Sequence, residues 1–399
     1  MAAEGRTLSY AELHERADEL ARRLAVAPGE RVPTTLPPGI AFCELLHALP
    51  RRGAVLMPLD PRELAAPRLP LRARSEHALL DEIDPGAVHT VIHTSGTTGE
   101  PRAVELTYAN HVAGAAASAD ALGVEAGDRW LCPLPLHHVG GLNVLVRSTI
   151  NHTTVVLHER FEAERVKAVL EAGEVTLASM VPTMLARLRE AGLRRAPGLR
   201  AIALGGGPIA PGLLDWAAET GVPVVPVYGM TETCSQVVAG SPGRPLRGVD
   251  LRLARDGEIL IRGAMVAPRA AGEDGWLHTG DLGRLDDAGL LHVEGRKKEL
   301  IVTGGENVAP LEVEQVLLAH PAVADAGVAG LADSEWGEAI TAFVVLRAPV
   351  RADELLAWCR ERLVAFKVPK ALRVVHALPR NSNGKLLRER LDHLESAPP

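Results

Sequence analysis

Val91-Ile92-His93-Thr94-Ser95-Gly96-Thr97-Thr98-Gly99-Glu100-Pro101-Arg102-Ala103-Val104 is an apolar strand that runs into a loop of glycines and hydroxyls, closed by a proline and a base. The composition of that loop suits phosphate. Glycine permits close approach and positive φ, free amides and hydroxyls donate to oxygen, and Arg102 adds charge. It is not the Walker pattern, which needs Lys followed by Ser or Thr after the last glycine. Other short apolar runs follow the same plan: Val55-Leu56-Met57, Val155-Val156-Leu157, Ala201-Ile202-Ala203-Leu204 ahead of Gly205-Gly206-Gly207-Pro208, and Val224-Val225-Pro226-Val227. Helical stretches alternate with them. This rhythm predicts an α/β fold with a largely parallel sheet, in which ligands collect at the carboxyl ends of the strands.

Working outward, Ser9-Tyr10-Ala11-Glu12 is a capping box, and Leu13, Ala17, Leu20 and Leu24 follow at helical spacing, so an amphipathic helix begins there. From about Val249 the pattern shortens to alternating segments, among them Leu251-Arg252-Leu253, Glu258-Ile259-Leu260-Ile261 and Leu290-Leu291-His292-Val293, parted by Asp-Gly and Ala-Gly turns. The reading is a large N-terminal domain of parallel-type α/β subdomains, residues 1–294, with a small β-rich subdomain at about 245–294. A hinge at 295–298 leads to a mobile α+β domain over 299–399, where Leu311 to Leu318 and Ala352 to Leu363 read as helices and Ala339 to Leu346 as a strand.

A length of 399 residues calls for two or three folded units. The net charge of −7 argues against a general nucleic-acid or membrane-surface binder, so an anionic ligand must be held by local cations. With no leader pattern ahead of Arg6 and no apolar run of about 18 residues, a cytoplasmic protein without membrane insertion is expected. Cys43, Cys132, Cys234 and Cys359 are too scattered to suggest a disulfide framework or a zinc site. Only six of the 43 basic residues are Lys, and five of those lie beyond residue 290. The oligomeric state is not set by the sequence, and a homo-oligomer is compatible with it.

Five more segments fall into order behind the opening loop: Gly205-Gly206-Gly207-Pro208, Tyr228-Gly229-Met230-Thr231-Glu232, Trp276-Leu277-His278-Thr279-Gly280-Asp281, Gly295-Arg296-Lys297-Lys298 through Val308, and Pro379 to Lys385. With them the chain resembles the adenylate-forming superfamily of acyl-CoA synthetases, peptide-synthetase adenylation domains and luciferases over nearly its whole length. The resemblance implies ATP, Mg2+ and CoA as cofactor and co-substrates, and a small-molecule carboxylic acid as partner. Thr94, Ser95, Gly96, Thr97, Thr98, Gly99 and Arg102 would hold the phosphates; Gly205, Gly206, Gly207, Pro208, Tyr228 and Gly229 would frame the adenine. Asp281 would accept from both ribose hydroxyls, while Thr231 and Glu232 would serve Mg-ATP, with Glu232 as the Mg2+ ligand. Arg296 and Lys298 would stand at the nucleotide and the hinge, Gly304, Gly305 and the Asn307 loop would line the pantetheine tunnel, and Lys385 would be the catalytic lysine. One departure stands out. The superfamily usually closes the first loop with Pro-Lys-Gly, where this chain has Pro101-Arg102-Ala103.

Such chemistry brings a carboxylate to the α-phosphorus of ATP, an anion to a polyanion. Two like charges at 4 Å repel by about 4 kcal/mol at an effective dielectric of about 20, or about three decades in rate. Preorganised cations are the remedy, and Lys385 in its Asn-Gly turn has the reach. For the acid, Leu134 through Ser148 and Tyr228 through Gln236 resemble segments of the o-succinylbenzoate-CoA ligases of menaquinone biosynthesis, with His138 at the mouth of the acyl pocket. That acid carries a second carboxylate, for which Arg147, Ser235 or Gln236 are candidate partners; Arg147 on a helix surface is the competing placement. Other aryl- or fatty-acyl-CoA ligases, a carrier-protein-loading enzyme and, from another class, a non-catalytic nucleotide-binding regulator are the alternatives. A serine hydrolase is disfavoured because no Gly-x-Ser-x-Gly elbow is present.

Overall fold

Ser9 opens helix α1 (Tyr10–Arg23) as its sequence demands: the Ser9 hydroxyl accepts from the Glu12 amide at 3.2 Å, and the Glu12 carboxylate accepts from the Ser9 amide at 2.7 Å. The computed structural model describes residues 1–3, 5–62, 69–71, 79–80, 82–94, 102–381 and 384–395. Its chain divides into two compact units, one made of Met1–Gly206, Gly221–Leu251 and Ile261–Leu277, the other of Gly207–Thr220, Arg252–Leu260 and His278–Pro399.

In the first unit the strands are β1 (Ala2–Ala3), β2 (Arg6–Thr7), β3 (Arg31–Thr34), β4 (Val55–Pro58), β5 (Val88–Thr94), β6 (Arg102–Thr107), β7 (Arg129–Cys132), β8 (Thr154–Leu157), β9 (Leu177–Met180), β10 (Ala201–Leu204), β11 (Val224–Met230), β12 (Ser235–Gly240) and β13 (Gly243–Pro245). The helices beside α1 are α2 (Ile40–Ala48), α3 (Tyr108–Leu122), α4 (Val139–Ile150), α5 (Ala163–Glu171) and α6 (Pro182–Glu190). Strands β11, β10, β9, β7, β8 and β1 lie side by side and all pair in parallel. Antiparallel β12 and β13 extend that sheet beyond β11. A second sheet runs β3-β4-β5 in parallel, then β6 antiparallel. The expected parallel α/β character is therefore present, and most of the apolar runs picked from sequence are buried strands, β10 throughout, while β11 is only half-buried along its length. Trp130 is fully buried among them and its indole donates to Ser179 Oγ at 3.0 Å.

Short strands follow as β14 (Val249–Leu253), β15 (Glu258–Gly263), β16 (Leu277–Leu285) and β17 (Leu291–Arg296), with β16 and β17 antiparallel from Asp281↔Arg296 onward. In the second unit, helix α7 (Pro211–Thr220) is joined by α8 (Pro310–Leu318) and α9 (Ala352–Arg360). A five-stranded sheet holds β18 (Ile301–Thr303), β19 (Glu306–Val308), β20 (Val323–Asp333), β21 (Gly337–Leu346) and β22 (Ala371–Val374). Val313, Leu317, Val328, Ile340, Val344 and Leu355 fill the space between its helices and sheet. Asn307, read as a loop residue, sits on β19 paired with Val302. All four cysteines are buried and reduced. No helix among the described residues is long and apolar enough to cross a membrane.

Candidate active site

The phosphate-type loop is stemmed by an antiparallel pair: Thr94 at the end of β5 faces Arg102 at the start of β6, and the Thr94 hydroxyl donates to the Arg102 carbonyl at 3.3 Å. Ser95, Gly96, Thr97, Thr98 and Gly99 lie outside the described residues. At the end of β10, a Cβ on Gly205 would come within 2.7 Å of Val227 Cγ2 and 2.8 Å of the Val227 carbonyl, so only glycine lets the two strand ends approach.

Tyr228 to Glu232 lies where β11 gives way to a tight turn. Register slips between Tyr228 and Gly229, and a Cβ on Gly229 would collide with the Ser235 carbonyl. Thr231–Thr233 forms one 3-10 turn, fixed by the Thr233 hydroxyl: it accepts from the Met230 amide at 3.0 Å and donates to the Ser235 carbonyl at 2.7 Å. Cys234 and Ser235 then take positive φ angles of 53° and 93°, a strained path for side-chain-bearing residues. The carboxylate of Glu232 has no hydrogen-bond or ion-pair partner among the described residues, while its carbonyl accepts from Ala267 at 2.8 Å. An unengaged carboxylate on a held turn suits a hard divalent cation.

What holds that strained turn is a buried polar network reaching from α3 and α4. Asn143 donates to the Cys234 carbonyl at 2.7 Å and accepts at 2.8 Å from His111 Nδ1, while His111 Nε2 lies 2.9 Å from the Thr90 hydroxyl. The Asn143 oxygen needs a proton on Nδ1, and burial, which pushes His111 down to about 4, leaves the ring neutral, so Nε2 accepts from the Thr90 hydroxyl. Arg147 is 3% exposed, not on a surface, so the helix-surface placement is corrected: its face of α4 packs inward. Its guanidinium makes long contacts to neutral acceptors, Gln236 Oε1 at 3.3 Å and the Cys234 carbonyl at 3.5 Å, and its buried Nε has no partner among the described residues. Gln236 donates onward to Ser118 at 3.0 Å. Burial lowers Arg147 to about 10, so it stays charged at neutral pH.

His138 begins α4, its carbonyl accepting from Gly141 at 3.1 Å and Leu142 at 3.0 Å. Gly141 is obligatory because a Cβ there would strike the Pro135 carbonyl. The His138 ring stands 4.3 Å from that of His137, and burial followed by that neighbour lowers it to about 3. It is a neutral donor or acceptor at physiological pH.

In the second unit Asp281 is 5% exposed and 2.9 Å from Arg296 Nε. Lys385 is held in a tight turn: its amide donates to Asn381 Oδ1 at 2.9 Å, and Arg380 ties that turn to Asp325 and to the Gly384 carbonyl. Burial first, then repulsion by Arg296, lowers the Lys385 ammonium below the ordinary lysine range; Glu299 and Asp281 counter this. The structure thus gathers Asp281, Arg296, Lys298 and Lys385 into one electrostatic neighbourhood. Gly207 and Pro208 precede α7. Lys298 is exposed in a 3-10 turn, and Gly304 and Gly305 turn with φ of 57° and 85°. Not singled out from sequence were Asn143, His111, Ser118 and Arg388, whose guanidinium binds Glu299, Glu314 and the Val328 carbonyl.

The family described as AMP-binding enzyme matches residues 1–74 and 63–269, and its C-terminal domain matches 312–385. A 2-succinylbenzoate--CoA ligase of Bacillus subtilis is 45% identical, the match covering 76% of this chain and 68% of that one. The o-succinylbenzoate CoA synthetase (MenE) of Bacillus subtilis in complex with the acyl-adenylate intermediate OSB-AMP is similar with a TM-score of 0.87 and 36% identity, over 99% of this chain and 95% of that one. The same enzyme with ATP and magnesium ion gives 0.85 and 37%, over 98% and 95%.

Proposed function

The chain belongs to the AMP-binding enzyme family, and from that membership we propose that it is an ATP-dependent acid-CoA ligase whose acid is o-succinylbenzoate. In the first half-reaction a carboxylate oxygen of the acid attacks the α-phosphorus of ATP and pyrophosphate leaves. In the second, the CoA thiol attacks the acyl carbon and AMP leaves. A supply of ATP and CoA supports a cytoplasmic location. We assign the large N-terminal part through residue 294 to adenylation, 295–298 to the hinge and the remainder to the mobile domain.

Each side chain has a task that its setting supports. Glu232 would hold Mg2+, and Mg2+ so bound would neutralise phosphate charge. Thr231 presents its hydroxyl on the same turn, and Asp281 accepts from the ribose hydroxyls. The charge on Lys385 offsets the repulsion between acid and nucleotide oxygens. His138, uncharged, donates a hydrogen bond at the acyl group without adding a cation. Thr94 and Arg102 stem the phosphate loop, with Ser95, Gly96, Thr97, Thr98 and Gly99 as its cradle, and Gly205, Gly206, Gly207, Pro208, Tyr228 and Gly229 frame the base. Lys298, Gly304 and Gly305 serve the second half-reaction.

The observation that carries the choice of acid is Arg147. A buried guanidinium facing only neutral acceptors costs several kcal/mol unless an anion joins it, and an acid with a second carboxylate supplies that anion. The test is a panel of acids with ATP and CoA, following pyrophosphate and thioester. o-Succinylbenzoate is expected to outperform by tenfold or more an analogue lacking the unreacted carboxylate, and Arg147→Met to erase that margin. Preference for a fatty or amino acid, or an unchanged margin in Arg147→Met, overturns the assignment.

A further inference from the structure

The turn that carries Asp281 is not self-supporting. Gly280 adopts φ of +71°, a left-handed conformation, and its amide donates to Glu258 Oε1 at 2.9 Å. Thr279, on β16, is tied across to β15, its hydroxyl donating to the Ile259 carbonyl at 2.8 Å and accepting from the Asp281 amide at 3.1 Å. Glu258 itself is 8% exposed on β15. Its two oxygens are divided between tasks: Oε1 faces Gly280, while Oε2 lies 3.3 Å from Lys297 Nζ and 3.7 Å from His278 Nδ1. Lys297 is also paired with Asp256. The Lys297 ammonium on Oε2 orients the carboxylate, and a charged acceptor binds a backbone amide more strongly than a neutral one.

From this division of labour we infer that Glu258 is a positioning residue for ribose recognition: by fixing the Gly280 amide it sets the direction of the Asp281 carboxylate. Lys297 belongs to the hinge segment, so the same carboxylate links the ribose turn to the start of the hinge. The inference rests on Asp281 accepting from the ribose hydroxyls, and the test separates the two.

The measurement is the ratio of kcat/KM for ATP to that for 2′-deoxyATP, read from acid-dependent pyrophosphate release. One charge-assisted hydrogen bond predicts a preference on the order of 10- to 100-fold in the unmodified enzyme. Asp281→Ala is expected to collapse it. Glu258→Ala is expected to reduce the ratio about fivefold or more, with the KM for the acid unchanged. Glu258→Gln, which keeps an acceptor for Gly280 while Lys297 retains Asp256, is expected to stay within about twofold of the parent. Glu258→Met keeps the side-chain volume and supplies a folded acceptor-free protein should the alanine variant melt early. A collapse in Asp281→Ala with an unchanged ratio in Glu258→Ala and Glu258→Met overturns the positioning role alone. An unchanged ratio in Asp281→Ala overturns the ribose reading beneath it.

Discussion

Lys385 shows how far one side chain's surroundings shape its chemistry. Burial and the Arg296 charge lower its proton affinity, so the ammonium is present below that lowered value and is lost as pH rises through it. Pyrophosphate release should therefore decline on the alkaline side earlier than free lysine would dictate, and Lys385→Arg should move that limb upward in a pH-rate profile. Lys385→Ala is expected to slow adenylation by on the order of 100-fold or more. Thioester formation from a supplied acyl-adenylate should change far less, because only the first half-reaction brings acid and ATP together; equal losses in both would remove the role. Gly229→Ala should cripple adenylation too, through collision with the Ser235 carbonyl, and a variant of parental activity would disprove that steric account. Motif residues of this kind were legible because each motif is short and contiguous. Asn143 was not, since its partner Cys234 lies 91 residues away, and nothing local in the sequence marks such a pair.

Elements differ in legibility for the same reason. Helix α1 carries its capping box and apolar stripe within its own span, and the sequence reading matched it. Strand β20, by contrast, gave no strand signal: Val-Ala-Asp-Ala-Gly-Val-Ala-Gly-Leu-Ala-Asp lacks β-branched alternation, and its glycines read as turns. Its long register with β21 supplies the ordering, and Gly327 and Gly330 are small because Leu386 and Ile301 press close on them. The end of the Lys385 segment is fastened to β20 and α8 by Arg388, which engages the nearly buried Glu314. Removing one member of a buried pair leaves the other uncompensated, so Arg388→Ala should cost about 3–5 kcal/mol of stability. Denaturant unfolding followed by tryptophan fluorescence would check this, and a loss below about 1 kcal/mol would reduce the pair to surface status.

At the scale of the molecule, the proposed function asks for two settings of the proposed hinge, one for each half-reaction. Lys298 is the second residue of a 3-10 turn, in the first turn of a helix, where the backbone amide that proline lacks has no intrahelical partner to lose. Lys298→Pro is therefore expected to leave adenylation within about threefold and to slow thioester formation tenfold or more by restricting φ. Comparable rates for both half-reactions would argue against rotation at that residue. The sequence foretold the α/β plan and the order of the motifs, because strand-to-loop transitions repeat along the chain; it said nothing of Glu258 as a prop for the ribose turn, whose amide lies 22 residues on. The four enclosed cysteines have a practical corollary. Burial raises Cys132 to about 12 and both Cys234 and Cys359 to about 11, so almost none of these sulfurs is thiolate at neutral pH. An aromatic disulfide dye added to timed aliquots of the reaction would thus count only unconsumed CoA, giving a stopped colorimetric record of turnover, and with the CoA-free protein a sudden surge of colour on warming would report the chain opening.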